Sequence, residues 1–92
     1  MVAFRDLNPQ APTHVLVVPK AHYANIVDGV PAEVLKSMTE AADAVATSEG
    51  VKDSGFRCIM NTGAAAGQTV MHLHMHVLGG APLGEGLLPK EA

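Results

Sequence analysis

Aromatic side chains are nearly missing from this sequence: there is no Trp, one Tyr and two Phe among 92 residues. Any core must therefore be filled by Ala, Val, Leu and Met, which bury less area per side chain than rings do. A chain this short has a marginal core in any case, so a partner subunit covering a flat apolar face would add useful stability. Positive charge is scarce too. Six Lys and Arg are scattered against nine Asp and Glu, for a net charge of −3, which leaves no basic stripe for nucleic acid. A single nucleotide is another matter, since backbone N–H groups and neutral side chains can hold one phosphate. Cysteine occurs once, as Cys58. No internal disulfide and no C-x-x-C metal pair can form, and Cys58 is expected to be a small buried hydrophobe. No apolar run approaches the ~20 residues of a membrane span, and no secretory segment is recognisable. The expectation is one domain, 1–92, with no membrane association and a cytoplasmic location.

What is present divides cleanly. "VAFRDL" reads as a short strand stopped by "NPQAPT", and "HVLVVP" as a strand covered on both faces and ended by Pro19. "KAHYANIVDGV" is an irregular connection with one helical turn around Ala24 to Val27. Pro31 suits the first turn of a helix running to about Ser48, with Gly50 as its stop. Val34, Leu35, Met38, Ala41, Ala42 and Val45 fall on one face of it at helical spacing. "GFRCIMNT" reads as a third strand, "GAAAG" as a loop and "TVMHLHMHVLGG" as a fourth strand. The tail from about 81 to 92 is expected to be irregular. Two strands, a helix and two strands predict an α+β fold, an antiparallel sheet with one long helix on one face.

Three of the five histidines stand at alternate positions in that fourth strand. Strand alternation places His72, His74 and His76 on one side, with Met71, Leu73, Met75 and Val77 on the core side. A merely solvated face would carry Thr, Lys, Glu and Ser rather than three imidazoles. A metal is the second reading. The outer two histidines start ~13 Å apart, whereas zinc holds each nitrogen at ~2.0–2.1 Å, so the three cannot readily share one ion. Two of them with a distant ligand such as His14 could, but no Asp or Glu lies between Asp53 and Glu85 to orient the rings. Phosphate chemistry uses more of the stretch. A neutral imidazole is a competent nucleophile, its neighbours can stabilise phosphate charge, and the central His74 is the natural attacking group. "NTGAAAGQT" just upstream offers a Gly-rich loop with Asn, Gln and Thr donors, and no Walker-type Lys.

With these residues in view, "GQTVMHLHMHVLGG" resembles the signature of the histidine triad (HIT) family. "AFRDLNPQAPTHVLVVPKAH" and "GFRCIMNTGAAAGQTV" extend the resemblance to its Hint-like branch of nucleoside phosphoramidate hydrolases, over residues 2 to 84. The resemblance implies a sheet continued across a homodimer through the long helix and the "GFRCIMNT" strand. It implies hydrolysis of a purine nucleoside phosphoramidate, or a related nucleotidyl conjugate, to the nucleoside monophosphate. By matching position His74 takes the nucleotidyl group, His72 and His76 hold phosphate oxygens or the leaving group, and His14 completes the cluster. Asn61, Gly67, Gln68 and Thr69 would surround the phosphate or leaving group. Asp6 would hold the ribose hydroxyls, with Phe4 and Leu7 bordering the base. No metal and no cofactor is implied. His22, in the loop after "VLVVPK", reads as structural or loop-capping.

Two departures stand out. The branch usually begins earlier, with a hairpin that pairs with the "VAF" strand and closes the base pocket. This sequence opens just before that strand, as a fragment or as a member without the hairpin, and "VAFRDL" would then keep an open edge. The branch often has Trp soon after "LGG", where this sequence has "APLGEGLLP", so leaving-group preference stays open. A nucleotide-binding protein with little turnover and a small histidine-based metal domain are the alternatives to the hydrolase.

Overall fold

The computed structural model describes residues 1–86. Four strands and one long helix follow in the order β1 (Val2–Arg5), β2 (Thr13–Val18), α1 (Ala32–Ser48), β3 (Phe56–Ile59) and β4 (Met75–Gly79), with a 3₁₀ turn at Ala64–Ala66 between the last two strands. The sheet order is β1-β2-β4-β3, and every neighbouring pair is antiparallel. The α+β fold expected from the sequence is therefore what forms.

The helix behaves as its periodicity predicts. Pro31 caps it in an extended conformation (φ −62°, ψ 149°), where its missing N–H costs nothing. At the other end the Val51 N–H donates back to the Ala46 carbonyl at 2.9 Å, a closure that requires the left-handed φ of +73° at Gly50. Met38, Ala42 and Ala46 are the buried residues of this helix. Val34, Leu35, Ala41 and Val45 pack partly buried around the core. Ala46 extends the expected stripe by one residue. Beneath it lie Val17, Leu73, Met75 and Val77, so the core sits between α1 and the two central strands.

Corrections begin at β4, which starts only at Met75. The expected strand from Thr69 has no partner for its first half, because β2 ends at Val18 and Pro19 has no N–H to continue a ladder. The Leu73 N–H instead donates to the Tyr23 carbonyl at 2.7 Å. Only His76 of the triad is thus in a strand, and His72 and His74 stand on irregular backbone before it. Burial still alternates, with Leu73 and Met75 inside. Met71, expected on the core side, is 52% exposed. β3 is shorter than "GFRCIMNT" and lies at the sheet edge. Its Cys58, expected to be buried, is exposed, because α1 packs on β2 and β4 rather than on β3. Around Ala24 to Val27 there is a turn closed by Asp28 N–H to Asn25 carbonyl, 3.2 Å, and no helix. Residues 81–86 contain no helix or strand; the remainder of the expected irregular tail lies outside the described residues.

Candidate active site

The sheet face turned away from α1 is set by register. Phe4 stands opposite Leu16 and Leu16 opposite His76, so these three share a face with His14 and Val18, each two residues along from Leu16. Phe4, Leu16, Val18, Val70, His72 and His74 line a cleft of about 360 Å³. Its floor is apolar apart from the two imidazoles.

All five histidines gather here in two groups. In the first, the Gln10 N–H donates to His14 Nδ1 at 3.0 Å, which puts the His14 proton on Nε2. His14 Nε2 faces His76 Nδ1 at 2.8 Å, so His76 accepts there and carries its own proton on Nε2. His14 is 5% exposed, and its ring centroid lies 5.1 Å from that of His76. His76 is in turn 5.1 Å from His74, edge to face. Burial, first of all, and then the neighbouring His74 and His14 push the His76 pKa below its ordinary value, with Asp6 opposing. In the second group His22 Nδ1 and His72 Nδ1 are 3.1 Å apart. His72 Nε2 lies 3.0 Å from the Pro19 carbonyl oxygen.

A backbone carbonyl joins the two. His74 Nδ1 is 2.7 Å from the His72 carbonyl oxygen. Since a carbonyl only accepts, His74 holds its proton on Nδ1 and leaves the Nε2 lone pair bare. No hydrogen bond among the described residues uses that nitrogen.

The other expected site residues divide. Asp6 is brought to His14, Oδ2 to Nε2 at 3.6 Å, while its Oδ1 accepts from the Asn8 N–H at 2.8 Å. A carboxylate thus reaches the histidine cluster from the loop after the first strand. Asp6, His14 and His76 offer donor atoms all within 4.8 Å of one another, a set that could hold a divalent ion. The 2.8 Å between the two ring nitrogens is hydrogen-bond length, whereas tetrahedral zinc spreads its ligands to roughly 3.3 Å. An ion would have to open the pair. Gln68 is 4% exposed. Its Oε1 accepts from the Gly63 N–H at 2.9 Å, and its Nε2 donates to the Ala24 and Val70 carbonyls at 2.7 and 3.0 Å. Both amide hydrogens are consumed, so Gln68 pins the Gly-rich loop. Gly67 takes φ +92° at the end of the 3₁₀ turn, with Asn61 Nδ2 close beside it. Thr69 is exposed, and Leu7 is fully exposed. Leu16, Val18 and Val70 were not singled out by sequence. The first two carry the same strand parity as His14, which is the signal that finds them. His22 had no such signal, because the loop that delivers it has no period.

Such a molecule is a small α+β protein with a histidine cluster along the wall of one apolar cleft, its central imidazole fixed in a single tautomer. Comparison with known proteins agrees with that class. The HIT domain matches residues 1–83, and the chain belongs to this family. It is 46% identical over 93 residues to the purine nucleoside phosphoramidase of Escherichia coli, a match covering 98% of this chain and 77% of that one. Among solved structures it superposes on a HIT family hydrolase from Clostridium thermocellum with a TM-score of 0.88 and 46% identity, covering 94% of this chain and 76% of that one. The corresponding values for a HIT family hydrolase from Legionella pneumophila are 0.86 and 41%, with 90% and 76% covered. No helix among the described residues is long and apolar enough to cross a membrane.

Proposed function

We propose that this protein hydrolyses purine nucleoside phosphoramidates, or related nucleotidyl conjugates, through a nucleotide carried on His74. The observation that carries this reading is the 2.7 Å contact from His74 Nδ1 to the His72 carbonyl. It leaves an unprotonated Nε2 on a residue that lines the cleft, the state a nitrogen nucleophile needs near neutral pH. The E. coli relative, by name a purine nucleoside phosphoramidase, supports the substrate class.

Chemistry follows from the tautomers. Nε2 of His74 attacks phosphorus, a P–N bond forms to the ring, and the substrate's own P–N bond breaks with its electron pair leaving on the amine. The amine takes up a proton from water. His76, neutral and protonated on Nε2, donates to a phosphoryl oxygen, and its lowered pKa keeps it in that form. In the second half water adds to phosphorus, releases a proton, and the P–Nε2 bond breaks to free the nucleoside monophosphate. Asp6 offers Oδ2 to the ribose hydroxyls, and Phe4, Leu16 and Val18 offer apolar wall to the base. Asn61 and Thr69 offer polar donors to the phosphate, whereas the Gly63, Ala66 and Gly67 N–H groups are already bonded within the loop. His72, with both nitrogens engaged, presents ring surface rather than a phosphate contact.

We expect His74→Ala to lower turnover of an adenosine phosphoramidate by about 10⁴-fold or more while nucleoside monophosphate still binds in titration. A slow-leaving substrate should leave an acid-labile nucleotide mass on the His74 peptide of the native protein. Activity should survive EDTA, and loss in chelator with recovery in zinc would transfer the assignment to a metal at Asp6, His14 and His76. Undiminished turnover by the His74→Ala protein would remove the nucleophile assignment.

We also infer a two-fold homodimer through α1 and β3. Among the described residues the β3 edge is open, and Phe56, Cys58 and Ile59 stand exposed along it. A second copy pairing there would continue the sheet and cover apolar surface that this thin core leaves in water.

A further inference from the structure

Among the described residues the backbone that carries His72 and His74 has no strand partner, yet the His72 carbonyl must be held still if it is to fix the His74 tautomer. Four hydrogen bonds from one short loop hold it. His72 Nε2 meets the Pro19 carbonyl at 3.0 Å, His22 Nδ1 meets His72 Nδ1 at 3.1 Å, the Leu73 N–H donates to the Tyr23 carbonyl at 2.7 Å, and Gln68 Nε2 donates to the Ala24 carbonyl at 2.7 Å. Three of these use backbone carbonyls of residues 19–24. His22 contributes a side chain.

Proton bookkeeping makes that side chain directional. The Pro19 carbonyl can only accept, so His72 keeps its proton on Nε2 and offers a lone pair at Nδ1. His22 must then donate through Nδ1–H, leaving its own Nε2 bare on an exposed residue. The His72 ring is thereby gripped at both nitrogens, 5.0 Å from the His22 ring and steeply inclined to it. With the ring gripped, the peptide whose oxygen receives the His74 Nδ1–H is gripped as well.

We propose that His22 is a positioning residue for nucleotidyl transfer, acting through His72 to hold His74 with Nε2 bare. This rests on His74 being the nucleophile. It places His22 outside the substrate's reach and inside the reaction's geometry, where supporting hydrogen bonds decide how well a reactive group is aimed.

Two substitutions separate this from a loop-filling role. Asn sets its side-chain amide near the place of a histidine Nδ1, so His22→Asn retains a donor toward His72. His22→Phe retains the ring and loses the donor. We expect the Phe variant to lose about 10-fold or more in kcat with little change in KM, and the Asn variant to recover most of the loss. Nitrogen-15 spectra of the histidine rings should show His74 as a single Nδ1–H tautomer in the native and Asn proteins. In the Phe protein it should be a mixture, with thermal unfolding checked for all three. A Phe variant with native kcat and an unmixed His74 spectrum overturns the proposal. So do Phe and Asn variants that lose activity equally while both spectra stay native. If instead His74→Ala remains active, the nucleophile assignment falls, and the His74 spectrum of the Phe variant still reports whether His22 sets that tautomer.

Discussion

His76 ties the stability of the fold to pH through one ring. Its folded pKa lies below the ordinary value because burial and two imidazole neighbours disfavour the cation. In the unfolded chain it titrates near 6.5. A depressed folded pKa contributes stability that is complete above about pH 6.5 and lost as pH falls through the folded value, since the unfolded chain takes up the proton first. We expect urea unfolding to show a less stable protein at pH 5.5 than at 7.5. Replacing His76 by Asn, whose amide oxygen can still accept from His14 Nε2, should flatten part of that dependence. An unchanged slope would assign it to other groups. At this scale the sequence showed the triad by its alternate spacing. It could not show that Asp6 and His14 converge on His76 from 70 and 62 residues away, nor which nitrogen of any ring is bare. Those facts depend on partners fixed only by the fold.

At the scale of elements, α1 was legible from end to end because its evidence is local: a Pro before it, a Gly after it and a 3.6-residue stripe between. β4 was half legible. Its apolar alternation is in the sequence, but its start is decided by Pro19 just past the end of β2, which no pattern within residues 69–80 records. The exposed Cys58 was misjudged for the same reason, since burial of a strand depends on what packs over it. The far end of β4 carries its own test. A Cβ built on Gly79 would lie 3.1–3.3 Å from three atoms of the Val51 side chain, the residue that follows the helix stop. Neither the buried Val51 nor the paired strand can give freely. Gly79→Ala should therefore cost about 1–3 kcal/mol in a denaturant titration, where an uncrowded strand position would gain from losing glycine. A stabilised variant would show that this end of the sheet is looser than the packing implies.

For the molecule as a whole, the short core and the two strand edges left open among the described residues raise the same question of what covers them. The β1 edge bears Val2 and Phe4, 41% and 49% exposed, and the β3 edge bears Phe56 and Ile59, 37% and 38%. The sequence resemblance assigns the β3 edge to a dimer, so light scattering at micromolar concentration should give twice the 9.5 kDa chain mass. Lys at Ile59, a charge on that edge, should shift the population toward monomer. A monomeric native protein, or a dimer indifferent to Ile59→Lys, would count against the β3 assembly.

The pairing of β2 with β4 has one more consequence, and it concerns time. Each outer strand can meet its neighbour through a fairly short connection, but the hydrogen bond from His14 to His76 closes a separation of 62 residues. Contacts of that span form late, because the entropy of closing the loop must be met before they return anything. Neither half of the chain holds the cluster by itself. A chain still emerging from the ribosome, with its helix formed and its first hairpin paired, lacks the assembled cluster until the last strand slots into the middle of the sheet. The cluster is completed by the final central contact rather than accumulating along the way.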